Sequence, residues 1–459
     1  MKKHDFEYVA SVLEKADTGP ILDEKNWDQK YIGAKSKEMI EKYDITWNDG
    51  DLIPSDDDLA DRLFQAAWEF ALESGVLCLN TKRQMVWDHD ELQRVVDSAP
   101  DELPVGEGAD QVIIQFRNPE EAARVTILGG AYGTLIEEEL FGAMVEAYAR
   151  ETLLDIIEPP SIPTALGRTV RIQSPWEVVV ARREADLARA AVARAGRPDV
   201  GIGAAATSGS EIIEMAATSY GAYRQSDWHH TSFVSEHKVS YADLTRATHF
   251  YQTGSVAHTF CDPIYGGYLG GKEGVALGNA AGCILLRACL FGDTVNAGPT
   301  HTILSCDTHP DMLAAQALGI QALARNSHLL NGIHIRPAHG PGVREILYEV
   351  ATMAIVGVTS GVDFIKSVQS ANGSNMGHTS PLEARFCAQV AHSVEGMTRK
   401  EGNSMVQKLV AKYQEKIPTA DIGKHFRETY DLDSLEPTPE WMGVYEEVVV
   451  EFTSLGISL

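Results

Sequence analysis

A histidine and an arginine alternate with two isoleucines in the run Ile333-His334-Ile335-Arg336. Successive side chains of an extended strand point to opposite faces, so the two polar groups share one face and the isoleucines share the other. An arginine guanidinium presents paired donors to a carboxylate, and a histidine can add one hydrogen bond. The pattern predicts a polar binding pair in the lumen or mouth of a barrel, although a solvated edge strand would show the same alternation.

A second candidate position is Gly203, inside the small-residue run 195–208. A helix-forming segment ends at Gly196, a short extended piece follows, and a loop of small residues opens the next helix. An α/β protein presents its site in this way, at the carboxyl end of a strand. The other strand-end residues that could contribute are Gly129, Gly130, His258, Phe260, Cys261, Ser305, Cys306 and Lys366.

The segment 262–271 contains four glycines and two tyrosines. Glycine lets the backbone approach a ligand closely, so we predict Gly266 and Gly267 as cofactor contacts. No Lys-Ser/Thr follows in the order of a phosphate-binding loop. Tyr265 is predicted to line a substrate cavity, but a docking surface for another protein fits the segment equally well.

Two further groups of residues have the types of side chain that bind ligands. His229, His230 and His237 lack the spacing of a helical zinc site, and no cysteine or carboxylate pair completes a set, so no metal site is predicted. Aromatic residues follow the Gly203 segment at Tyr220, Tyr223 and Trp228. Such residues either pack in a core or form a cation–π box.

Repeated strand and helix patterns must position these residues. Strand-like runs occur at 124–128, 200–202, 256–260, 300–304, 332–336 and 361–365, and helix-length segments occur at 137–156, 176–195, 240–252, 271–291, 310–325 and 343–356. Alternation of this kind predicts a parallel sheet, and so many units favour closure into an eight-stranded (β/α)8 barrel. A doubly wound open sheet is the alternative, which the lack of a GxGxxG motif after an early strand disfavours.

The α/β fold class therefore comes with two additions. Residues 1–120 are predicted to form a helical N-terminal extension that acts as a cap or an oligomerisation layer, so a homo-oligomer is expected. Residues 121–400 form the barrel. Residues 401–459 form C-terminal helices that pack on its exterior.

Composition limits the classes of partner. The net charge is -26, with 65 acidic against 39 basic residues, which argues against nucleic acid and anionic membrane surfaces. The six cysteines lack CxxC spacing, and no apolar signal core follows the N-terminus, so a cytoplasmic protein is predicted. The apolar run 275–291 is too short to span a bilayer.

Several motifs resemble those of the monomethylamine methyltransferase family of methylotrophic methanogens, over nearly the whole chain. They are Leu128-Gly-Gly-Ala-Tyr-Gly133, Ala195-Gly-Arg-Pro198, Gly201, Thr207-Ser208, Pro263-Ile-Tyr-Gly-Gly-Tyr-Leu-Gly-Gly271, Glu383-Ala-Arg385 and Thr438-Pro-Glu440. The resemblance implies a (β/α)8 barrel that transfers a methyl group from an amine to the cobalt of a separate corrinoid protein. It also implies that this chain binds no cofactor tightly.

The departures from the family lie at the site. The resemblance implies that other family members carry a pyrrolysine, whose imine captures methylamine, where this chain has Gly203. It likewise implies that they carry a carboxylate where this chain has Phe260. An amide and a phenol are implied in the family where this chain has His334 and Arg336. These polar positions have changed together, so monomethylamine is not the expected substrate.

A quaternary ammonium needs no such imine, because its nitrogen is already positive and Co(I) is a strong nucleophile. Gly203 is then expected to leave volume for a bulkier substrate. Arg336 and His334 are expected to hold a carboxylate, as in a betaine, while Phe260 and Tyr265 face the cation. We predict Gly203, His334 and Arg336 as catalytic, and the substrate contacts as Phe260, His258, Tyr265, Tyr220, Trp228 and Arg336. An O- or S-methyl donor, or a non-catalytic barrel that binds the corrinoid protein, are the alternatives.

Overall fold

Eight parallel strands close into a barrel in the computed structural model, which describes residues 5–203 and 210–459. In chain order the strands are β1 (Thr126–Gly130), β2 (Ile156–Glu158), β3 (Gly201–Ile202), β4 (Trp228–Ser232), β5 (Val256–Cys261), β6 (Thr294–Ala297), β7 (Leu330–Ile335) and β8 (Phe364–Val368). Each strand pairs with the next, β8 pairs with β1, and the β3–β4 seam is closed by a parallel bridge between Gly203 and Trp228. The predicted (β/α)8 barrel is confirmed.

Eight helices follow the strands and surround the barrel. They are α1 (Glu138–Arg150), α2 (Pro175–Arg194), α3 (Glu211–Thr218), α4 (Tyr241–Thr253), α5 (Lys272–Leu290), α6 (Pro310–Asn326), α7 (Arg344–Ser360) and α8 (Pro381–Ser393). Local sequence sets their ends. In α4, Ser240 and Asp243 form a capping box, and Gly254 ends the helix in the left-handed region at φ 71°.

One predicted strand is wrong. The barrel strand β6 is Thr294–Ala297, whereas Thr300–His301 forms a short rim strand that pairs with Ile264–Tyr265 above the barrel. Strands β2 and β4 and helix α8 are not predicted, and α3 is predicted only as the helix that follows the Gly203 loop, without bounds. Both β2 and β6 are only three or four residues long, and β4 is polar.

An apolar layer fills the amino end of the barrel. It includes Leu128, Ile156, Trp228, Val256, Leu330 and Phe364, together with Leu103, Val105 and Ile114 from a hairpin of strands Glu102–Val105 and Val112–Gln115. These side chains exclude water from the lower barrel. Any site must therefore lie above this floor, toward the carboxyl ends of the strands.

The N-terminal helices pack against the barrel's outer layer. They are Phe6–Thr18, Glu24–Asn26, the π-helix Trp27–Ala34, Lys35–Lys42, Asp57–Ser74 and His89–Asp97, with a short sheet of Val76–Cys78, Arg83–Met85 and Lys238–Val239. They share one apolar cluster with α5. That helix is long and apolar enough to cross a membrane, but 94% of the stretch is buried inside the protein.

The C-terminal helices complete the outer layer on the opposite side. Arg399–Tyr413, Phe426–Thr429 and Pro439–Ser454 pack in one cluster with α7 and α8. Trp441 is fully buried there, and its indole nitrogen donates to Ser380 at the start of α8. All six cysteines are buried and free.

Candidate active site

Above the apolar floor, the inward positions of the strands become polar. They are Glu158 on β2, His230 on β4, His258 on β5, Asn296 on β6, His334 on β7 and Lys366 on β8, and none is more than 4% exposed. The floor and this polar layer meet where the Trp228 ring stacks on the His258 ring at 4.7 Å. So many ionisable groups are expensive to bury, which marks the layer as the candidate site.

Glu158 lies at the end of β2 and faces the barrel axis. It accepts a hydrogen bond from the Ser367 hydroxyl, and its Oε1 lies 3.1 Å from His230 Nε2. Burial raises the pKa of the Glu158 carboxyl above its usual range, while Lys366 and Ser367 oppose the rise. Because the nearby Lys366 ammonium favours the ionised form of this carboxyl, Glu158 can serve as the counter-charge of a cation in the lumen.

Lys366 projects its ammonium between two aromatic rings. Its Nζ lies 4.0 Å from the Tyr132 ring centroid and 4.3 Å from that of Phe260. Burial lowers the pKa of Lys366 to about 8, although Glu158 and Asp262 act in the other direction. Tyr132 and Phe260 keep partial exposure. The lumen therefore contains a cation–π site formed by two ring faces.

Three histidines surround this site in their neutral form. Burial lowers the pKa of His230, His258 and His334 well below the ordinary value, and nearby cations lower it further: Lys366 for the first two and Arg336 for His334. The His258 Nδ1 atom lies 3.0 Å from the Thr294 hydroxyl. Neutral imidazoles add polarity without adding positive charge to the lumen.

Arg336 faces the lumen as predicted, but its donors are occupied. Its Nη2 lies 3.2 Å from an Asp262 carboxylate oxygen, Nε donates to Gln369 at 3.1 Å, and Nη1 donates to Thr300. Burial lowers the pKa of Arg336, but Asp262 and Asp307 outweigh it and keep it above its usual range. The expectation of a free carboxylate anchor is corrected, because the protein supplies its own carboxylate.

Gly203 lies at the β3–β4 seam, and the space beside it is filled. A Cβ atom at this position would lie 2.7 Å from Glu158 Cγ and 3.0 Å from its Cα. The expected extra volume for substrate is therefore taken by Glu158. The residues Thr207 and Ser208, which contribute to the resemblance, lie outside the described residues.

The other predicted contacts lie at different levels. Trp228 forms part of the floor, beneath His258. Tyr220 is corrected: it is 41% exposed outside the barrel, where its hydroxyl donates to the Arg182 carbonyl. It follows Gly203 closely in sequence, but β4 begins only after it.

Tyr265 and the glycine pair lie on the rim. The Tyr265 hydroxyl donates to Asp311 at 2.6 Å, and its ring packs against His301, so it does not face Phe260. Tyr132 takes the place expected for Tyr265 in the cation–π site. Gly266 and Gly267 are exposed in the loop after β5, and Gly266 has φ 79°.

Comparison with known proteins agrees with this architecture. A family model described as Monomethylamine methyltransferase MtmB matches residues 8–457. Monomethylamine methyltransferase MtmB3 of Methanosarcina barkeri (strain Fusaro / DSM 804) is 30% identical over 454 residues, or 99% of this chain and 98% of that protein. The chain belongs to the monomethylamine methyltransferase family.

Other family members give the same result. Monomethylamine methyltransferase MtmB1 of Methanosarcina acetivorans is 29% identical over 444 residues, which cover 97% of each chain. Two crystal structures, of the Methanosarcina barkeri enzyme and of a hydroxylamine MtmB complex, each superpose with a TM-score of 0.95 at 28% identity and cover 98% of both chains. The family's barrel is thus preserved over the whole length.

Four site residues were not singled out as site residues by the sequence: Tyr132, Glu158, His230 and Asp262. Tyr132 lies two residues beyond β1, inside one of the motifs shared with the family, which was its available signal. Glu158 and His230 belong to the two strands that were not predicted. Their grouping becomes visible only when the barrel closes.

Proposed function

We propose that this member of the monomethylamine methyltransferase family takes a methyl group from a methylated ammonium cation and passes it to the corrinoid of a partner protein. The observation that carries the proposal is the pair of ring faces, Tyr132 and Phe260, around a buried ammonium at 4.0 and 4.3 Å. A substrate methylammonium group presents similar charge to such rings.

The chemistry fits the residues present. When the partner's corrinoid is bound, its Co(I) supplies the electron pair for the new bond to the methyl carbon. The carbon–nitrogen bond breaks with its pair left on nitrogen, so a quaternary ammonium departs as a neutral tertiary amine. No proton has to be supplied, and no electrophile is needed at Gly203. Phe260, Tyr132 and the Glu158 carboxyl would orient the cation in the lumen.

The carboxylate of a betaine would have to compete for Arg336 with groups of the protein itself. Arg336 already pairs with Asp262 and donates to Gln369 and Thr300. A betaine would have to displace Asp262 before its carboxylate could reach the guanidinium. We therefore place simple methylated ammonium cations ahead of betaines as substrates.

The partner is proposed to approach the carboxyl-end face. The rim there carries the exposed loop of Gly266 and Gly267, and the neighbouring Ile303 is 84% exposed. A single exposed isoleucine is ordinary on a protein surface, so the proposal rests on the position of this loop at the carboxyl ends of the strands, where barrels of this type present their sites. In this proposal, the glycine loop lies against the partner or its corrinoid.

Methyl transfer to reduced cobalamin tests the function directly. The purified protein is incubated with Co(I) cobalamin, free or bound to a corrinoid protein, and with a panel of tetramethylammonium, glycine betaine, the three methylamines, and sulfonium and methoxy compounds. We expect methylated cobalamin with a methylated ammonium donor. Transfer only from a sulfur or methoxy donor, or no transfer at all, would overturn the proposal.

A pair of variants tests the ring faces. Phe260→Leu keeps an apolar side chain but removes one π face, and we expect a rise in KM of about five- to thirtyfold, as for loss of about 1–2 kcal/mol of cation–π attraction. Tyr220→Leu also removes an aromatic ring, but outside the barrel, and serves as the matched control. Equal effects of the two changes would contradict the proposed site.

A further inference from the structure

Lys366 occupies the position that a substrate cation would need. Its side chain is fully buried, and among the residues that the structure describes its Nζ has no hydrogen-bond acceptor. A buried ammonium usually has such partners, because desolvation otherwise disfavours the charge. Here Nζ lies over the rings of Tyr132 and Phe260, 4.0 and 4.3 Å from their centroids.

Charged and titratable groups face this ammonium from several elements. Glu158 and Asp262 stabilise its positive form, whereas Arg336 opposes it. The buried histidines that Lys366 influences are His230, His258 and His334. Asp262 pairs with Arg336, and Asp307 also stabilises that guanidinium, which leaves Glu158 as the carboxyl that acts most strongly on Lys366.

Besides Arg336, the lumen can therefore hold one cation that Glu158 neutralises, but not two. A substrate ammonium between the same rings would lie close to a charged Lys366, with only Glu158 to neutralise both. A lysine whose pKa burial lowers to about 8 can instead lose a proton near neutral pH. The charge of the lumen is then the same before and after the substrate enters.

We propose that Lys366 is a proton-releasing stand-in for the substrate cation, so that binding of a methylated ammonium displaces its ammonium from the two rings and converts it to a neutral amine. One N–H bond breaks, the electron pair stays on Nζ, and the proton passes to solvent. This inference rests on the proposed function, because it assumes that the lumen accepts such a cation. It makes Lys366 a specificity-determining residue that admits cations and ties their affinity to pH.

Calorimetry with tetramethylammonium chloride tests the inference. Titrations in two buffers of different ionisation enthalpy give the number of protons released per ligand bound. For the wild type we expect close to one proton below about pH 8, and an affinity that rises about tenfold per pH unit there. Binding without proton release and without pH dependence would overturn the proposal.

Substitutions separate charge from shape. Lys366→Met removes the titrating group, and we expect tight binding that no longer depends on pH. Lys366→Arg keeps a positive charge at every pH and should bind at least tenfold more weakly. The control is Lys272→Met, since Lys272 also lies over an aromatic ring, Trp47 at 5.0 Å, but outside the barrel. Melting curves check that each variant is folded. If a variant is not folded, the proton release measured with the wild type decides whether Lys366 loses its proton on binding.

The outcomes distinguish this inference from the function beneath it. Tetramethylammonium that binds and is demethylated without proton release leaves the function standing and removes the role of Lys366. Tetramethylammonium that fails to bind even above about pH 9 overturns the inference, and the donor panel with Co(I) then decides the function by itself.

Discussion

Adding a single methyl group at Gly203 should disturb the site at its most crowded point. In Gly203→Ala the new Cβ would lie 2.7, 3.0 and 3.1 Å from Glu158 Cγ, Cα and Cβ. Two of these atoms belong to the start of the side chain and to the backbone, so rotating the carboxylate alone does not relieve the contact. The strands β2 and β3 must separate by several tenths of an ångström, or Glu158 must leave its place.

Either response has a cost that can be bounded. Overpacking a filled core typically costs about 1–3 kcal/mol. Moving Glu158 also breaks its hydrogen bond from Ser367 and its contact with His230, and a charged hydrogen bond contributes about 1.5–3 kcal/mol. Because only one of the two responses is needed in full, we expect a loss of about 2–3 kcal/mol in the free energy of unfolding.

Urea denaturation measures this loss, and tetramethylammonium calorimetry reports the displaced carboxyl as weaker cation binding. Gly443→Ala is the matched control, since Gly443 lies inside the helix Pro439–Ser454 with no atom within 4 Å of its added Cβ. It should stabilise the protein by up to about 1 kcal/mol. In a Glu158→Ala background the penalty at Gly203 should shrink, because Cγ is gone. A Gly203→Ala protein with wild-type stability and unchanged cation binding would refute the reasoning.

Two more predictions concern the charged groups around the lumen. In Asp262→Asn, Arg336 loses the carboxylate that it pairs with. The affinity for glycine betaine should then rise relative to that for tetramethylammonium by about fivefold, or about 1 kcal/mol. An unchanged ratio of the two dissociation constants would contradict this prediction. The pKa of His258 is held well below its ordinary value by burial and by Lys366, so below about pH 6.5 the unfolded chain binds a proton that the folded protein excludes, and stability falls as pH falls. His258→Phe removes this group, so the slope of the unfolding free energy against pH should be smaller by about 1.4 kcal/mol per pH unit. Urea denaturation between about pH 5 and 6 measures the slope. The same slope in both proteins would exclude this role for His258.

The barrel could be predicted from the sequence because several of its strands show a clear pattern. In β7 the isoleucines at 333 and 335 pack against the outer helices, while His334 and Arg336 point inward. Strand β6 was misplaced because its Thr-Val-Asn-Ala sequence is half polar, as its inward threonine and asparagine face the polar layer. A strand that lines a polar lumen loses the apolar run that makes buried parallel strands recognisable.

The site was predictable only in part, because its members come from six strands. Phe260, His258, His334 and Arg336 were identified by strand-end position, and the structure places them in or at the lumen. The availability of Arg336 was not predictable, since its partner Asp262 lies 74 residues away. Tyr220 illustrates the opposite error: sequence proximity to Gly203 suggested a contact that the barrel's geometry does not make.

The charged residues of the lumen limit how many cations it can hold at once. Without substrate, the ammonium of Lys366 is stabilised by Glu158, and the guanidinium of Arg336 is stabilised by Asp262 and Asp307. A methylated ammonium would replace the first positive charge while Lys366 releases a proton, so the net charge of the lumen would not change. Burying an ion without a compensating charge is energetically costly. An exchange of one cation for another avoids this cost, so under the proposed function Lys366 can lie in the lumen without excluding the substrate.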